Sequence, residues 1–157
     1  IMTTRIALFS TLLAYSFIVS QSFMYILSLT QVQMSLDAST YTTFRKLVDS
    51  SMRSNFKYAI YGALVANIFL LVTTIKNPGS LLFITATIAF VALVIDIILT
   101  LKGNLPINDI INNWAPGQIP SDWEHFRAKW LHIFRYRQIA NITGFLALLV
   151  GAVFGNR

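Results

Sequence analysis

Four apolar stretches dominate this chain, and each comes close to the length that a hydrocarbon layer demands. They cover residues 6–29, 59–75, 81–101 and 139–154, and the last lengthens to 134–154 when it is extended back to Phe134. A helix that crosses a bilayer needs about 20 apolar residues. The first stretch is longer than the apolar core of a signal peptide, about 7–15 residues, and no small-residue cleavage pattern follows it. It therefore reads as a retained span.

Composition points the same way. The chain is 55% hydrophobic and 11% charged, with a mean hydropathy of +0.64, whereas a soluble domain carries about 25% charged residues. The net charge of +6 fits basic loops beside anionic headgroups better than nucleic acid. The lipid bilayer is thus the first expected partner, and no nucleic-acid partner is expected. With no cysteine, neither a disulfide frame nor a thiolate metal site can form. The two histidines, His125 and His132, stand seven apart. On a helix that is about 10.5 Å, too far to share one ion, so no metal and no cofactor is expected. No nucleotide loop, catalytic triad, paired acids or zinc motif is present. Charged and repeated polar positions are too few for a pore.

Between the spans the chain is organised unevenly. Lys76-Asn77-Pro78-Gly79 is a tight turn. The other two connections are long and similar in plan. After the first span comes a polar break, "SLDAST", then Tyr41, Phe44, Val48, Met52 and Phe56 at helical spacing, with Arg45, Lys46, Asp49 and Arg53 between them. After the third comes "GQIPSDWEHF", where Pro120, Ser121 and Glu124 match a capping box. Trp123, Phe126, Trp130, Phe134 and Arg137 then share a helical face. Residues 40–58 and 121–133 therefore read as amphipathic prologues that run unbroken into spans two and four. A helix over 122–154 would be about 50 Å long, against a hydrocarbon core of about 30 Å. The expectation is one membrane domain over residues 1–157: an all-α, integral membrane four-helix bundle with helices two and four extended beyond the membrane.

The long connections carry Arg45, Lys46, Arg53, Lys57, Lys102, Arg127, Lys129, Arg135 and Arg137, and the opposite side carries Arg5, Lys76 and Arg157. Nine basic residues against three put the long connections in the cytoplasm and both termini across the membrane.

The third span is followed by "GNLPINDIINNW", four asparagines in twelve residues. A short interfacial helix or loop is expected here, closing the bundle on that side with Ile107, Ile110 and Ile111 turned inward or into headgroups. Asn104 is placed to cap the helix that Pro106 begins; Asn104 and Asn108 are also placed to line a pocket. Asp96 is the one acid inside a span, and an ion pair with Arg137 would lock helix three to helix four. Asn141 continues the Trp130–Phe134–Arg137 stripe. Gln21, Ser22, Tyr25, Asn67 and Thr143 are polar groups suited to bonds between helices. Gly62, Gly144 and Gly151 suit close helix contact.

The motif Asn104-x-Pro106-x-Asn108 directly after a third span, then Trp114 or Trp123, then Trp130 and Arg137 before a fourth, resembles the anthrone-oxygenase-like family of small membrane proteins. The resemblance covers about residues 95–150, and the first half only by hydropathy. It implies a four-helix membrane protein, some of whose relatives oxygenate polyketide anthrones without a conventional metal cofactor. The site expected on this footing holds a small hydrophobic, aromatic or quinone-like molecule at the membrane interface. Asn104, Asn108, Trp130 and Asn141 would bind it. Arg137 and the amides would stabilise an enolate, and His132 would take the proton. The alternative expectation is a non-catalytic accessory subunit packed against other membrane subunits.

Overall fold

A computed structural model describes residues 2–155; Ile1, Asn156 and Arg157 lie outside the described residues, and with them one of the three basic residues assigned to the terminal side. The described chain is helical, with four helices long and apolar enough to cross a membrane: α1 (Met2–Ser35), α2 (Ala38–Thr74), α3 (Leu81–Asn112) and α4 (Trp123–Phe154). Each helix packs on the next, and α4 closes the ring against α1. The most extensive contact is α3 on α4; α2 meets α3 far more sparingly.

The prologues of α2 and α4 are continuous with their spans. Two expectations need correction. All four helices extend past the apolar stretches, not two, and the asparagine segment is neither a separate helix nor a loop but the last turns of α3. A span read from hydropathy stops where polarity rises. Here polarity rises inside helices, in Thr30–Ser35 and Leu105–Asn112. Each extension is joined to its span through a π-helical turn, Tyr25–Leu29 in α1 and Thr100–Asn104 in α3. In the second, the Leu105 amide donates to the Thr100 carbonyl, five residues back. Pro106, which has no N–H and whose ring crowds the carbonyl four residues before it, is accommodated immediately after this wider turn.

The boundaries have local causes. Asp37 starts α2, its carboxylate accepting from the Ser39 and Thr40 amides at 2.9 and 3.1 Å. Ser80 starts α3 by accepting from the Phe83 amide at 3.2 Å. The capping box expected from Ser121 and Glu124 does not form. Asp122 is the N-cap residue of α4 and makes no side-chain cap bond, and Glu124 is drawn instead to Arg127, 3.1 Å away. Gly117, with φ +76°, supplies the left-handed turn that brings the α3–α4 connection around.

The interior divides in two. Ala7, Leu8, Tyr15, Ile18, Ala63, Leu70, Ala86, Ala89, Leu93 and Leu148 form an aliphatic core. Tyr25, Tyr41, Ile107, Ile111, Trp114, Trp130 and Phe134 form an aromatic one under the long connections. Gly144 lets α4 settle against Tyr15 and Ala92, and Gly151 does the same against Thr85 and Leu82. Gly62 is different: nothing lies within 4 Å of where its Cβ would stand, so it serves no close contact here. Much of the exterior is apolar. Phe9, Phe17, Leu27, Val65, Val72 and Val153 are all exposed, while Asp96, Asn67, Arg45 and Arg137 are buried. Such an inverted distribution suits a surface that does not meet water.

Candidate functional site

Where the two cores meet, polar side chains from all four helices come together. Asp96 on α3 is fully buried, and its carboxylate accepts from Arg137 Nε on α4 at 2.7 Å. Arg137 also donates to the Asn104 side-chain carbonyl at 3.1 Å, and the Asn104 amide donates to the Trp130 backbone carbonyl at 3.0 Å. Asn104 thus occupies the start of the terminal turns of α3, but it caps nothing: its backbone is helical, and it makes no side-chain cap bond. Both ends of its amide are committed across to α4.

One turn further on, a second set forms between α2 and α3. Arg45 donates to Asn108 Oδ1 at 2.9 Å, and Asn108 Nδ2 donates to Asp49 Oδ1 at 2.7 Å. The other Asp49 oxygen accepts from Asn112 at 2.8 Å and from Arg53 at 2.7 Å. Arg53 reaches on to Asp109 at 2.6 Å. Two ladders of side chains four residues apart therefore face each other: Arg45, Asp49 and Arg53 on α2, and Asn104, Asn108 and Asn112 on α3. Four-residue spacing keeps each ladder on one helix face. This accounts for three of the four asparagines, each of which holds a charged neighbour in place.

Arg45 joins this polar layer to the aromatic core. Its guanidinium carbon lies 3.9 Å from the centre of the Trp130 ring, a cation–π contact. It also donates to the Tyr25 hydroxyl at 3.3 Å, which accepts from Gln33 at 2.8 Å. Arg127 makes a companion clamp. It lies over Trp123 and donates to the Gln33 and Leu36 carbonyls at 3.2 and 3.1 Å, so a cation closes the end of α1. Beside it, burial pushes the Tyr41 phenol up to about 12, which keeps it neutral at any physiological pH.

Where α2 and α3 part, a cavity of about 340 Å³ opens. Its head is polar: Arg45, Asp49, Asn104, Asn108 and Arg137 line it, with Trp130. Its body is apolar, with Phe56, Ile60, Leu64, Ile97 and Leu101. Lys57, Tyr61 and Leu101 are exposed wall residues and mark its mouth. Pockets for small molecules have this make-up, mainly apolar with a few convergent polar groups, and start at about 300 Å³.

Of the residues expected at the site, Asn104, Asn108, Trp130 and Arg137 line this cavity together, and Asp96 stands behind Arg137. His132 does not join them. It is exposed on the outer face of α4, edge-on to Tyr136 at 5.2 Å. Two residues separate it from Trp130, about 200° around a helix. Asn141 is buried away from the cavity wall, its amide 3.5 Å from Ser22 Oγ. Sequence reasoning missed Arg45, Asp49 and Arg127. The Arg-x-x-x-Asp-x-x-x-Arg spacing of 45–53 was the signal for the first two, since it repeats the period of the asparagines. Among the described residues no group of three His, Asp or Glu side chains could hold a metal ion. No family model matches the chain, and neither a curated protein nor a solved structure matches it.

Proposed function

We propose that this chain is a multi-pass membrane protein that binds a small hydrophobic molecule with an oxygen-bearing head, and that the cavity between α2 and α3 is its site. The observation that carries this reading is the two-part wall of that cavity, with guanidinium and amide donors at one end and an apolar body leading to an exposed mouth. The inverted exterior supports the membrane setting. The excess of basic residues near the long connections supports placing those connections, and the head of the cavity, on the cytoplasmic side.

The resemblance to the anthrone-oxygenase-like family favours an aromatic ketone or quinone-like ligand. Such a ketone becomes an enolate when its α-proton leaves, and the negative charge then sits on oxygen. Fixed donors around that oxygen stabilise it without reorganising. Arg45 and Arg137 supply them, and Asn108 and Asn104 hold the two guanidinium groups in place. His132 is too remote to take the proton, which instead leaves to water at the exposed mouth of the cavity while the donors hold the charge left on oxygen.

The test uses the purified chain in nanodiscs with anthrone as probe, following tryptophan quenching and oxygen uptake. Saturable quenching that is lost in the Asn104→Ala/Arg137→Ala variant, with the bundle still folded, supports the reading. Anthrone-dependent oxygen uptake lost in the same variant extends it to catalysis. No saturable binding, together with stoichiometric partner chains in native mass spectra of gently extracted protein, would replace it with the accessory-subunit reading.

A further inference from the structure

Arg45 is the unusual group in the cavity. It is 3% exposed, yet its side-chain hydrogen bonds go to neutral acceptors, the Tyr25 hydroxyl and the Asn108 carbonyl. Among the described residues it has no ion-pair partner, and its Nε has no acceptor. The Trp130 indole N–H beside it, equally buried, also lacks one. A buried cation without an anion is costly, and so is a buried donor without an acceptor.

The other charges do not relieve it. Asp49 is the one carboxylate in the wall, and Asn108, Asn112 and Arg53 already occupy its two oxygens. Arg137 is answered by Asp96. At the mouth, Lys57 stands without an ion-pair partner among the described residues. With Arg137 paired to Asp96, and Arg53 to Asp49 and Asp109, Arg45 and Lys57 are the lining cations without an ion-pair partner among the described residues.

Resting on the binding reading above, we infer that the cavity selects a ligand whose oxygen head is negatively charged when bound, carried on a single apolar tail or a flat apolar body. The anion pairs with the Arg45 guanidinium at the head of the cavity. The apolar part lies along Phe56, Ile60 and Leu64. Lys57, at the mouth, makes first contact and raises the local concentration of anions. A carboxylate and a phosphate monoester offer the same chemistry to this head.

The test exploits Trp130 in the wall, using the chain in nanodiscs of neutral phosphatidylcholine. 2-Bromododecanoate and 2-bromododecan-1-ol differ in head charge and carry the quenching bromine beside the head. Quenching is referred to a Trp130→Phe chain, which subtracts Trp114 and Trp123. The acid is expected to bind at least about tenfold tighter than the alcohol, because its hydrogen bonds are charge-assisted. Arg45→Gln should bring the acid to within about twofold of the alcohol. Lys57→Gln, at an exposed position, should weaken the acid alone by a few-fold, and it stands in should Arg45→Gln fail to fold. Dodecyl phosphate and dodecanoate as competitors then distinguish the two sources by which displaces the probe at lower concentration. Saturable binding that is equal for acid and alcohol overturns the charge inference and leaves the cavity as a binding site. No saturable quenching by either probe overturns both.

Discussion

The Arg137 guanidinium and the Asp96 carboxylate, 2.7 Å apart and both buried, tie α4 to α3 at the junction of the aliphatic and aromatic cores. Neither charge can be left alone there. Asp96→Ala is predicted to destabilise the folded bundle by about 3–5 kcal/mol, the usual cost of stranding one member of a buried pair. The double variant Asp96→Leu/Arg137→Met removes both charges and should recover most of that loss. Reversible unfolding in mixed micelles reads both. Equal destabilisation by the single and double variants would mean that the pair does not set the cost.

Close packing at Gly144 makes a second prediction. A Cβ there runs into the Tyr15 hydroxyl and comes within 3.1 Å of Ala92 Cβ. Gly144→Ala should cost about 1–3 kcal/mol through overpacking, and Tyr15→Phe in the same chain should recover part of it by removing the hydroxyl. Gly62→Ala, with open space around it, should instead stabilise by up to about 1 kcal/mol from helix propensity. Thermal melting of the three variants checks the contrast, and a destabilised Gly62→Ala would contradict it.

A third prediction concerns acid. The Thr40 hydroxyl, and then the Thr40 and Ser39 amides, donate to the exposed Asp37 carboxylate and hold its pKa below the ordinary value. The folded chain thus binds this proton less tightly than the unfolded one, whose carboxyl titrates at about 3.9. The stabilisation is full above that pH and is lost as pH falls through the lower folded value. Asp37→Asn keeps a capping acceptor but cannot titrate. The difference in melting temperature between the two chains should be flat from pH 7 to 5 and narrow in favour of the variant below about pH 4. A constant difference down to pH 2 would count against it.

Sidedness can be read by single-cysteine labelling, since the chain has no cysteine of its own. Ser51 and Asn113 lie on the side of the long connections and Asn77 on the other, all three exposed. In intact cells a membrane-impermeant maleimide should label Asn77→Cys and spare Ser51→Cys and Asn113→Cys. The reverse pattern would invert the proposed topology.

Much of the architecture was legible because it rests on hydropathy and helical period. The four helices, the tight turn at 76–79, the break before Ala38 and the unbroken prologues all follow from those two signals. What was not legible had a different physical origin. The lengths of α1 and α3 were hidden because π turns join the apolar and polar parts into one helix, and nothing in composition marks such a join. Asn104 was assigned a cap because Pro106 usually opens a helix; the wide turn before it removed the need. His132 was given the proton-accepting role at a site that includes Trp130, but two positions on a helix mean nearly opposite faces. Arg45 and Asp49 were read only as charges between the apolar positions of the prologue, with no role at the site. Their burial depends on the asparagine ladder of α3, a partner 55 or more residues away that no local pattern in α2 announces.

The π turn at Tyr25–Leu29 has a further consequence for chain length. Its carbonyl-to-amide step from Tyr25 to Thr30 spans five residues instead of four, so it holds one residue beyond what an ordinary turn needs. Elsewhere in α1, deleting a residue would rotate everything beyond it by about 100°; at Leu13 it would turn Ala7 and Leu8 off the face that carries Tyr15 and Ile18. Within the turn, deletion of the exposed Leu27 converts it to regular α-helix and leaves both flanks facing as before. A chain lacking Leu27 should therefore fold and keep the aromatic core, whereas one lacking Leu13 should not. The spare residue is slack built into the first helix at the level of the cavity head, and melting curves of the two deletions would measure it.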